Sequence, residues 1–154
     1  MDAQSAKQIA LLHPKLRDEA HTAWSECQAA MPENTKIVIT QSLRSFAQSD
    51  ALYAQGRTTE GDIVTNAPAG ASYHNYGLAF DFSMITKGKT DWVVGPNWMK
   101  VVEIMKSHGW TWGGDFKSLK DNPHFEKAFG HNWKDLLALH KAGKVIEGTD
   151  YPNI

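Results

Sequence analysis

Four residues of the sequence combine side chains and spacing that suit metal-dependent hydrolysis. His74 and Asp81 lie in Ser-Tyr-His-Asn-Tyr-Gly-Leu-Ala-Phe-Asp-Phe, residues 72–82, whereas Asp121 and His124 lie in Asp-Asn-Pro-His. Imidazole and carboxylate groups both bind zinc, and a catalytic zinc site usually takes three protein ligands and keeps one position open. We therefore predict that His74, Asp81 and His124 are the ligands of a zinc ion, while noting that this ligand set accepts several divalent metals.

Two further residues have the chemistry to act beside such a metal. Asp121 precedes His124 by three positions across an Asn-Pro turn, so it can lie near the metal as a general base for the attacking water. Arg44 follows a predicted strand at a corner, where its permanent charge would stabilise the oxyanion formed from an amide. The structural alternatives are a turn-capping role for Asp121 and a salt bridge for Arg44.

The site residues depend on elements that hydrophobic periodicity indicates. Helical and alternating patterns predict four helices and three strands, without a regular βαβ order. The predicted helices are 5–31, interrupted at Pro14, then 45–55, 93–108 and 133–143, and the predicted strands are 36–40, 78–82 and 110–112. Such a mixture predicts an α+β fold with a small, largely antiparallel central sheet flanked by helices.

The alternation of side chains in the predicted strand 78–82 directs the side chain of Asp81 away from the core. Alternation places Leu78, Phe80 and Phe82 on one face and Asp81 on the other. His74 lies seven positions before Asp81, which would put it on the opposite face of a continuous strand. We expect the turn-forming residues between them to bring the two side chains together.

Composition limits the classes of protein that the sequence can represent. The chain has 154 residues, 42% of them hydrophobic and 21% charged, so we expect a single globular domain spanning residues 1–154. A formal net charge of −1 without a basic cluster gives no indication of nucleic acid or of a membrane surface as partner. Cys27 is the only cysteine and cannot form an internal disulfide.

The motifs resemble those of a known family. Ser72-x-His74-x-x-Gly77-x-Ala79-x-Asp81, followed by Asp121-x-Pro123-His124-Phe125-Glu126, is similar to the motifs of the zinc peptidases of the D-alanyl-D-alanine carboxypeptidase and vancomycin-resistance dipeptidase superfamily. Additional segments resemble the branch of L-alanyl-D-glutamate peptidases, which includes bacteriophage endolysins. These segments are Leu43–Ser45, Leu52–Thr58, Ile63–Thr65 and Trp112–Asp115, and the resemblance extends over residues 36–127.

The resemblance implies a function as well as a fold. It implies a zinc endopeptidase that cleaves the L-alanyl-D-glutamate bond of peptidoglycan stems, with His74, Asp81 and His124 as ligands, Asp121 as base and Arg44 as oxyanion partner. We further expect a monomer without a separate wall-binding domain or a signal peptide, which stays in the host cytoplasm until a holin opens the membrane. Two alternatives stay open, a D,D-carboxypeptidase or dipeptidase and a zinc-binding module without catalysis.

Several other residues receive structural interpretations. We expect His13, His21, His108, His131 and His140 to be surface or core histidines without a functional role. Arg57 is expected to be a salt-bridge partner, and Asp115 either orients a metal ligand or caps a turn. Among the tryptophans, Trp24, Trp110 and Trp133 are expected in the core, and Trp112 near the cleft wall.

Overall fold

Five α-helices and five β-strands follow one another irregularly in the computed structural model, which describes residues 1–154. The helices are α1 (Ala3–Ala10), α2 (Arg17–Ala29), α3 (Phe46–Ala54), α4 (Pro96–Ser107) and α5 (Trp133–Lys141). The strands are β1 (Thr35–Gln41), β2 (Ala79–Thr86), β3 (Lys89–Asp91), β4 (Thr111–Trp112) and β5 (His124–Glu126). Short 3-10 segments cover Pro14–Leu16, Tyr73–Tyr76 and Gly113–Asp115.

The strands form one antiparallel sheet in the order β1-β2-β5-β4, and β3 pairs with the far end of β2. β2 is therefore central, with β1 on one side and both β5 and β3 on the other. In this register Asp81 of β2 lies opposite His124 of β5. The predicted α+β class with a small antiparallel sheet is confirmed.

The hydrophobic core fills the space between the sheet and the helices. It contains 22 buried residues, and its centre is aromatic. Trp24 of α2 meets Phe80 and Phe82 of β2 edge to face, with ring centroids 5.5 and 5.7 Å apart, and Trp98 of α4 lies 4.5 Å from Phe82. Burial of large aromatic rings stabilises a domain of this size strongly. The apolar face of β2 is thus fixed, and Asp81 points away from it.

Most predicted elements agree with the structure, and the differences have local causes. The predicted interruption of the first helix at Pro14 is confirmed, because Pro14 begins a 3-10 turn between α1 and α2. β3 and β5 were not predicted, because each has three residues of which only one is β-branched or aromatic, whereas all three residues of the predicted strand 110–112 are. None of the helices has the length and hydrophobicity needed to cross a bilayer.

Candidate active site

His74 is carried by the short 3-10 turn Tyr73–Tyr76. The Ser72 hydroxyl accepts a hydrogen bond from the backbone N–H of His74 at 3.3 Å, which caps the start of the turn. Gly77 ends it with a φ of 68°, and a Cβ at this position would lie 2.7 Å from the backbone nitrogen of His13. Left-handed geometry and close packing therefore both require glycine here, and the turn brings His74 round toward Asp81.

Three ligand atoms converge between this turn and the sheet. Asp81 Oδ1 lies 3.3 Å from His74 Nε2 and 3.2 Å from His124 Nδ1, and the two histidine nitrogens lie 3.2 Å apart. A tetrahedral zinc ion with nitrogen and oxygen ligands at about 2.0–2.1 Å holds its ligand atoms about 3.3 Å apart. The triangle therefore has the dimensions of three corners of a zinc site, and these residues fit a metal ion.

The remaining nitrogen of each histidine is bound by a fixed acceptor. His74 Nδ1 donates to the carbonyl oxygen of Ser42 at 2.7 Å, and His124 Nε2 donates to Glu126 Oε2 at 2.7 Å. This assignment leaves His74 Nε2 and His124 Nδ1 as the nitrogens directed at the metal position. Glu126 and the Ser42 carbonyl were not predicted as functional groups, although Glu126, two positions after His124 on a strand, shares its face.

Charges within the cluster shift the pKa values of its members. Burial alone would raise the pKa of Asp81, but the charges and hydrogen bonds of His74 and His124 hold it well below its usual range. Burial would lower the pKa of His124, but hydrogen bonds to Asp81 and Glu126 outweigh it and raise the pKa to about 9. Asp81 is therefore a carboxylate at neutral pH and available as a ligand.

Asp121 lies at the rim of the triangle. Its Oδ2 is 3.9 Å from His124 Nδ1, and half of its side chain is exposed to the cleft. Its backbone N–H donates to the carbonyl oxygen of Gly113 at 3.0 Å, and a Cβ on Gly113 would overlap the carbonyl oxygen of Asp121. Burial and the charge of Asp81 raise the pKa of Asp121, against the opposing effect of Arg44 and the histidines. The structure thus places this carboxyl beside the three candidate ligands and outside the triangle that they form.

Arg44 lines the same cleft as Asp121. Its backbone N–H donates to the carbonyl oxygen of His74 at 3.0 Å, and its Nη2 donates to Gln41 Oε1 at 2.7 Å. Nη2 is also 4.0 Å from Asp81 Oδ2. Burial lowers the pKa of Arg44, whereas Asp81 and Asp121 oppose this shift. The guanidinium is therefore held next to the triangle of candidate ligands and is only partly neutralised by carboxylates.

These residues form the floor of an open cleft with a volume of about 590 Å³. One wall is the loop from Val64 to Tyr73 and the other is the segment from Phe116 to Asp121. Trp133, predicted in the core, is half-buried and lines this cleft. The arrangement presents two imidazoles, three carboxylates and a guanidinium to any peptide that enters.

Three other predicted roles differ from the structure. Asp115 touches no ligand and instead pairs with Lys106 on the surface, 2.5 Å away. Trp112 lies behind the Asp121 turn, where its indole N–H donates to the Asn122 carbonyl oxygen at 2.7 Å, and it does not line the cleft. Arg57 forms no salt bridge and binds backbone carbonyl oxygens instead.

The fold and the site together define a metallopeptidase-like α+β domain, and comparison with known proteins gives its family. A family profile described as D-alanyl-D-alanine carboxypeptidase matches residues 65–127. The chain is 44% identical over 124 residues to the peptidoglycan L-alanyl-D-glutamate endopeptidase CwlK of Bacillus subtilis, covering 75% of this chain and 72% of that protein. It is 36% identical over 108 residues to an L-alanyl-D-glutamate peptidase of a Listeria phage, covering 62% of this chain and 37% of the phage protein.

Solved structures share the fold. The L-Ala D-Glu endopeptidase ChiX of Serratia marcescens matches with a TM-score of 0.58 at 23% identity, covering 84% of this chain and 90% of that one. The vancomycin-resistance D,D-dipeptidase VanXYg, solved with a D-Ala-D-Ala phosphinate analogue, matches with a TM-score of 0.57 at 17% identity, covering 88% of this chain and 61% of that one.

The chain belongs to the D-alanyl-D-alanine carboxypeptidase family of peptidases, in the branch of the L-alanyl-D-glutamate endopeptidases, and the predicted resemblance is confirmed.

Proposed function

We propose that this chain is a zinc-dependent endopeptidase that hydrolyses the L-alanyl-D-glutamate bond of peptidoglycan stem peptides. The observation that carries the proposal is the triangle of His74 Nε2, Asp81 Oδ1 and His124 Nδ1, with Asp121 and Arg44 beside it on the floor of an open cleft. The choice of bond follows the named activity of the endopeptidase that is 44% identical. A binding module without catalysis would have no use for a carboxyl and a guanidinium so placed.

The metal would supply electrophilic assistance. Zinc held by the three ligand atoms would polarise a carbonyl oxygen and lower the pKa of a water molecule. Ser42 and Glu126 keep the two histidines in the tautomers that present a lone pair to the metal. The chain's own part in the reaction then belongs to Asp121 and Arg44.

Asp121 would act as the general base and then as the general acid. Its carboxylate accepts a proton from the water whose oxygen attacks the carbonyl carbon of L-alanine. When the C–N bond breaks, the same carboxyl gives that proton to the amine nitrogen of D-glutamate. A raised pKa makes the carboxyl a better proton acceptor, and its half-exposed position lets it reach the cleft.

Arg44 would stabilise the oxyanion that forms during the attack. Its guanidinium is already ordered by Gln41 and by burial, so little reorganisation is needed when negative charge develops on the carbonyl oxygen. The charge of Asp81 is shared with the histidines, which leaves Arg44 free to interact with substrate.

The experiment that tests this function identifies the bond that is cut. Purified sacculi are digested with the zinc-loaded chain, and the new termini are identified by mass spectrometry and amino-terminal labelling. New amino-terminal D-glutamate is the expected product. Release of D-alanine alone would replace the proposal with a D,D-carboxypeptidase or dipeptidase.

We also propose that the protein is a phage endolysin that acts as a monomer, with its 154 residues forming one catalytic domain. The similarity to a phage peptidase supports the role as an endolysin. All five site residues lie in one chain, which supports the monomeric state. Synthesis in a Gram-negative cytoplasm should leave cells intact until the inner membrane is permeabilised, as a holin would do. Lysis without permeabilisation would contradict this role.

A further inference from the structure

One wall of the cleft is a segment without regular secondary structure. This wall segment, residues 63–68, is largely exposed, with exposed fractions of 56% for Ile63 and 49% for Val64. The backbone N–H groups of Val64, Thr65 and Asn66 form no hydrogen bond within the protein, and the carbonyl oxygen of Val64 accepts none. The wall segment therefore offers free amide groups along the cleft.

Both ends of the surrounding loop are anchored by other residues. After the wall segment, Asn75 Oδ1 accepts from the backbone N–H groups of Gly70 at 3.1 Å and Ser72 at 3.3 Å. The Tyr76 hydroxyl adds a bond to the carbonyl oxygen of Gly70. Before the wall segment, Gln55 Nε2 donates to the carbonyl oxygen of Asp62 at 3.0 Å. These contacts hold the ends of the loop and do not reach the middle of the wall segment.

Arg57 is the one side chain from outside the wall segment that hydrogen-bonds to its middle. Its Nη1 donates to the carbonyl oxygens of Tyr53, at 2.8 Å, and of Thr65, at 3.1 Å. Its Nη2 lies 3.4 Å from Asn66 Oδ1, and its guanidinium carbon lies 3.9 Å from the centre of the Tyr53 ring. The guanidinium thus joins the end of α3 to the wall segment, and a planar fork of donors suits this geometry.

We propose that Arg57 is a positioning residue that fixes the wall segment for binding of the stem peptide, an inference that rests on the proposed function. Arg57 does not line the cleft, so its effect on substrate must pass through the wall segment. An extended peptide can pair its own amide groups with the free N–H and C=O groups of such a segment. A wall segment that is already ordered loses less conformational entropy when the stem peptide binds, so the peptide binds more tightly.

Steady-state kinetics on a soluble stem peptide test the proposal. In Arg57→Ala we expect KM to rise about fivefold while kcat stays within about twofold of the wild type, because uniform binding is lost without a change in the chemistry. Arg57→Lys keeps the charge without the fork and should recover only part of the loss. The matched control is Arg17→Ala, since Arg17 also binds a backbone carbonyl oxygen and lies over Tyr151, away from the cleft. The control should leave both constants unchanged.

An NMR measurement separates this inference from the proposed function. In Arg57→Ala the 15N order parameters of residues 63–67, the part of the wall segment that carries backbone N–H groups, should fall below about 0.6, the range of flexible backbone, while those of β2 stay high. A fall in kcat at unchanged KM, or a wall segment as ordered as in the wild type, would overturn the positioning role. If the wild-type chain releases no product from the peptide, the proposed function fails, and the order parameters still decide whether Arg57 holds the segment.

Discussion

Glu126 Oε2 accepts a hydrogen bond from His124 Nε2 at 2.7 Å, and the two residues are separated by one position on β5. Because side chains alternate along a strand, the carboxylate and the imidazole lie on the same face of the sheet. The imidazole is thereby turned so that Nδ1 faces Asp81. The Glu126 carboxylate thus determines which nitrogen His124 directs toward the proposed metal site.

Substitution of Glu126 should weaken metal binding. In Glu126→Gln the amide oxygen can still accept a hydrogen bond, but the charge that makes the imidazole a stronger ligand is lost. Zinc affinity measured by competition with a chromogenic chelator should fall roughly 10-fold, within the range known for groups that orient metal ligands. Glu103→Gln, at an exposed position of α4, is the control. Equal affinities in the two variants would remove Glu126 from the site.

Substitution of Asp121 should separate catalysis from metal binding. Asp121→Asn keeps the size of the side chain but cannot accept a proton, so kcat should fall roughly 100-fold or more while the zinc content is unchanged. Asp115→Asn is the matched control, because Asp115 is an exposed aspartate paired only with Lys106. Activity of Asp121→Asn close to that of the control would show that another group transfers the proton.

A methyl group at Gly113 should disturb the turn that carries Asp121. Gly113→Ala would bring a Cβ into the Asp121 carbonyl oxygen and to within 3.0 Å of His124 Cβ, so the turn must shift. We expect a loss of about 1–3 kcal/mol in the free energy of unfolding, measured in urea, together with reduced activity. At Gly95 a Cβ meets nothing closer than 3.8 Å, so Gly95→Ala should keep the wild-type activity and lose only the stability that an alanine costs at the N-cap of α4. A fully active and stable Gly113→Ala would mean that the turn is not tightly packed.

His13 should make stability depend on pH. Its side chain is buried, Nε2 donates to the Pro152 carbonyl oxygen at 2.7 Å, and Nδ1 accepts from the Lys15 N–H at 3.1 Å. Burial lowers the pKa of His13 below its ordinary value of 6.5, and the charges of Lys15 and Arg17 add to this effect against the Pro152 bond. The unfolded chain therefore takes up a proton at a higher pH than the folded chain, and stability is lost as the pH falls below about 6.5.

The comparison that checks this pH dependence uses His13→Gln. Urea unfolding at about pH 7.5 and about pH 5.5, in chelator so that the ligand residues titrate alike in both proteins, gives the change in free energy for each. The wild type should lose more stability than the variant, by no more than about 1.4 kcal/mol for each pH unit. Parallel losses in the two proteins would show that His13 does not set this dependence.

The sequence predicted the parts of the site that depend on local pattern. Alternation in 78–82 placed Asp81 away from the apolar face, and the turn before Gly77 accounts for the return of His74 to the same side. Both features follow from residue types within a short stretch, and the structure shows both. Asp121 and His124 were likewise placed together by their spacing across an Asn-Pro turn.

The features that the sequence did not predict depend on pairing between distant segments. β5 has only three residues and exists because β2 and β4 lie on either side of it. The acceptor for His74 is the backbone carbonyl of Ser42, a group that every residue carries and that no sequence pattern distinguishes. Arg57 was assigned to a salt bridge because its charge is visible in the sequence, whereas the carbonyl groups that it binds are not.

The measurement that tests the central claim most directly is zinc content and wall hydrolysis in one preparation, before chelation, after chelation and after zinc is restored. The substrate is Gram-negative peptidoglycan exposed by permeabilising the outer membrane, and His74→Ala is carried through the same steps. We predict about one zinc ion per chain, with hydrolysis that disappears on chelation, returns with zinc and is absent from His74→Ala. Hydrolysis that persists in the metal-free chain, or a chain that binds no zinc, would contradict the account.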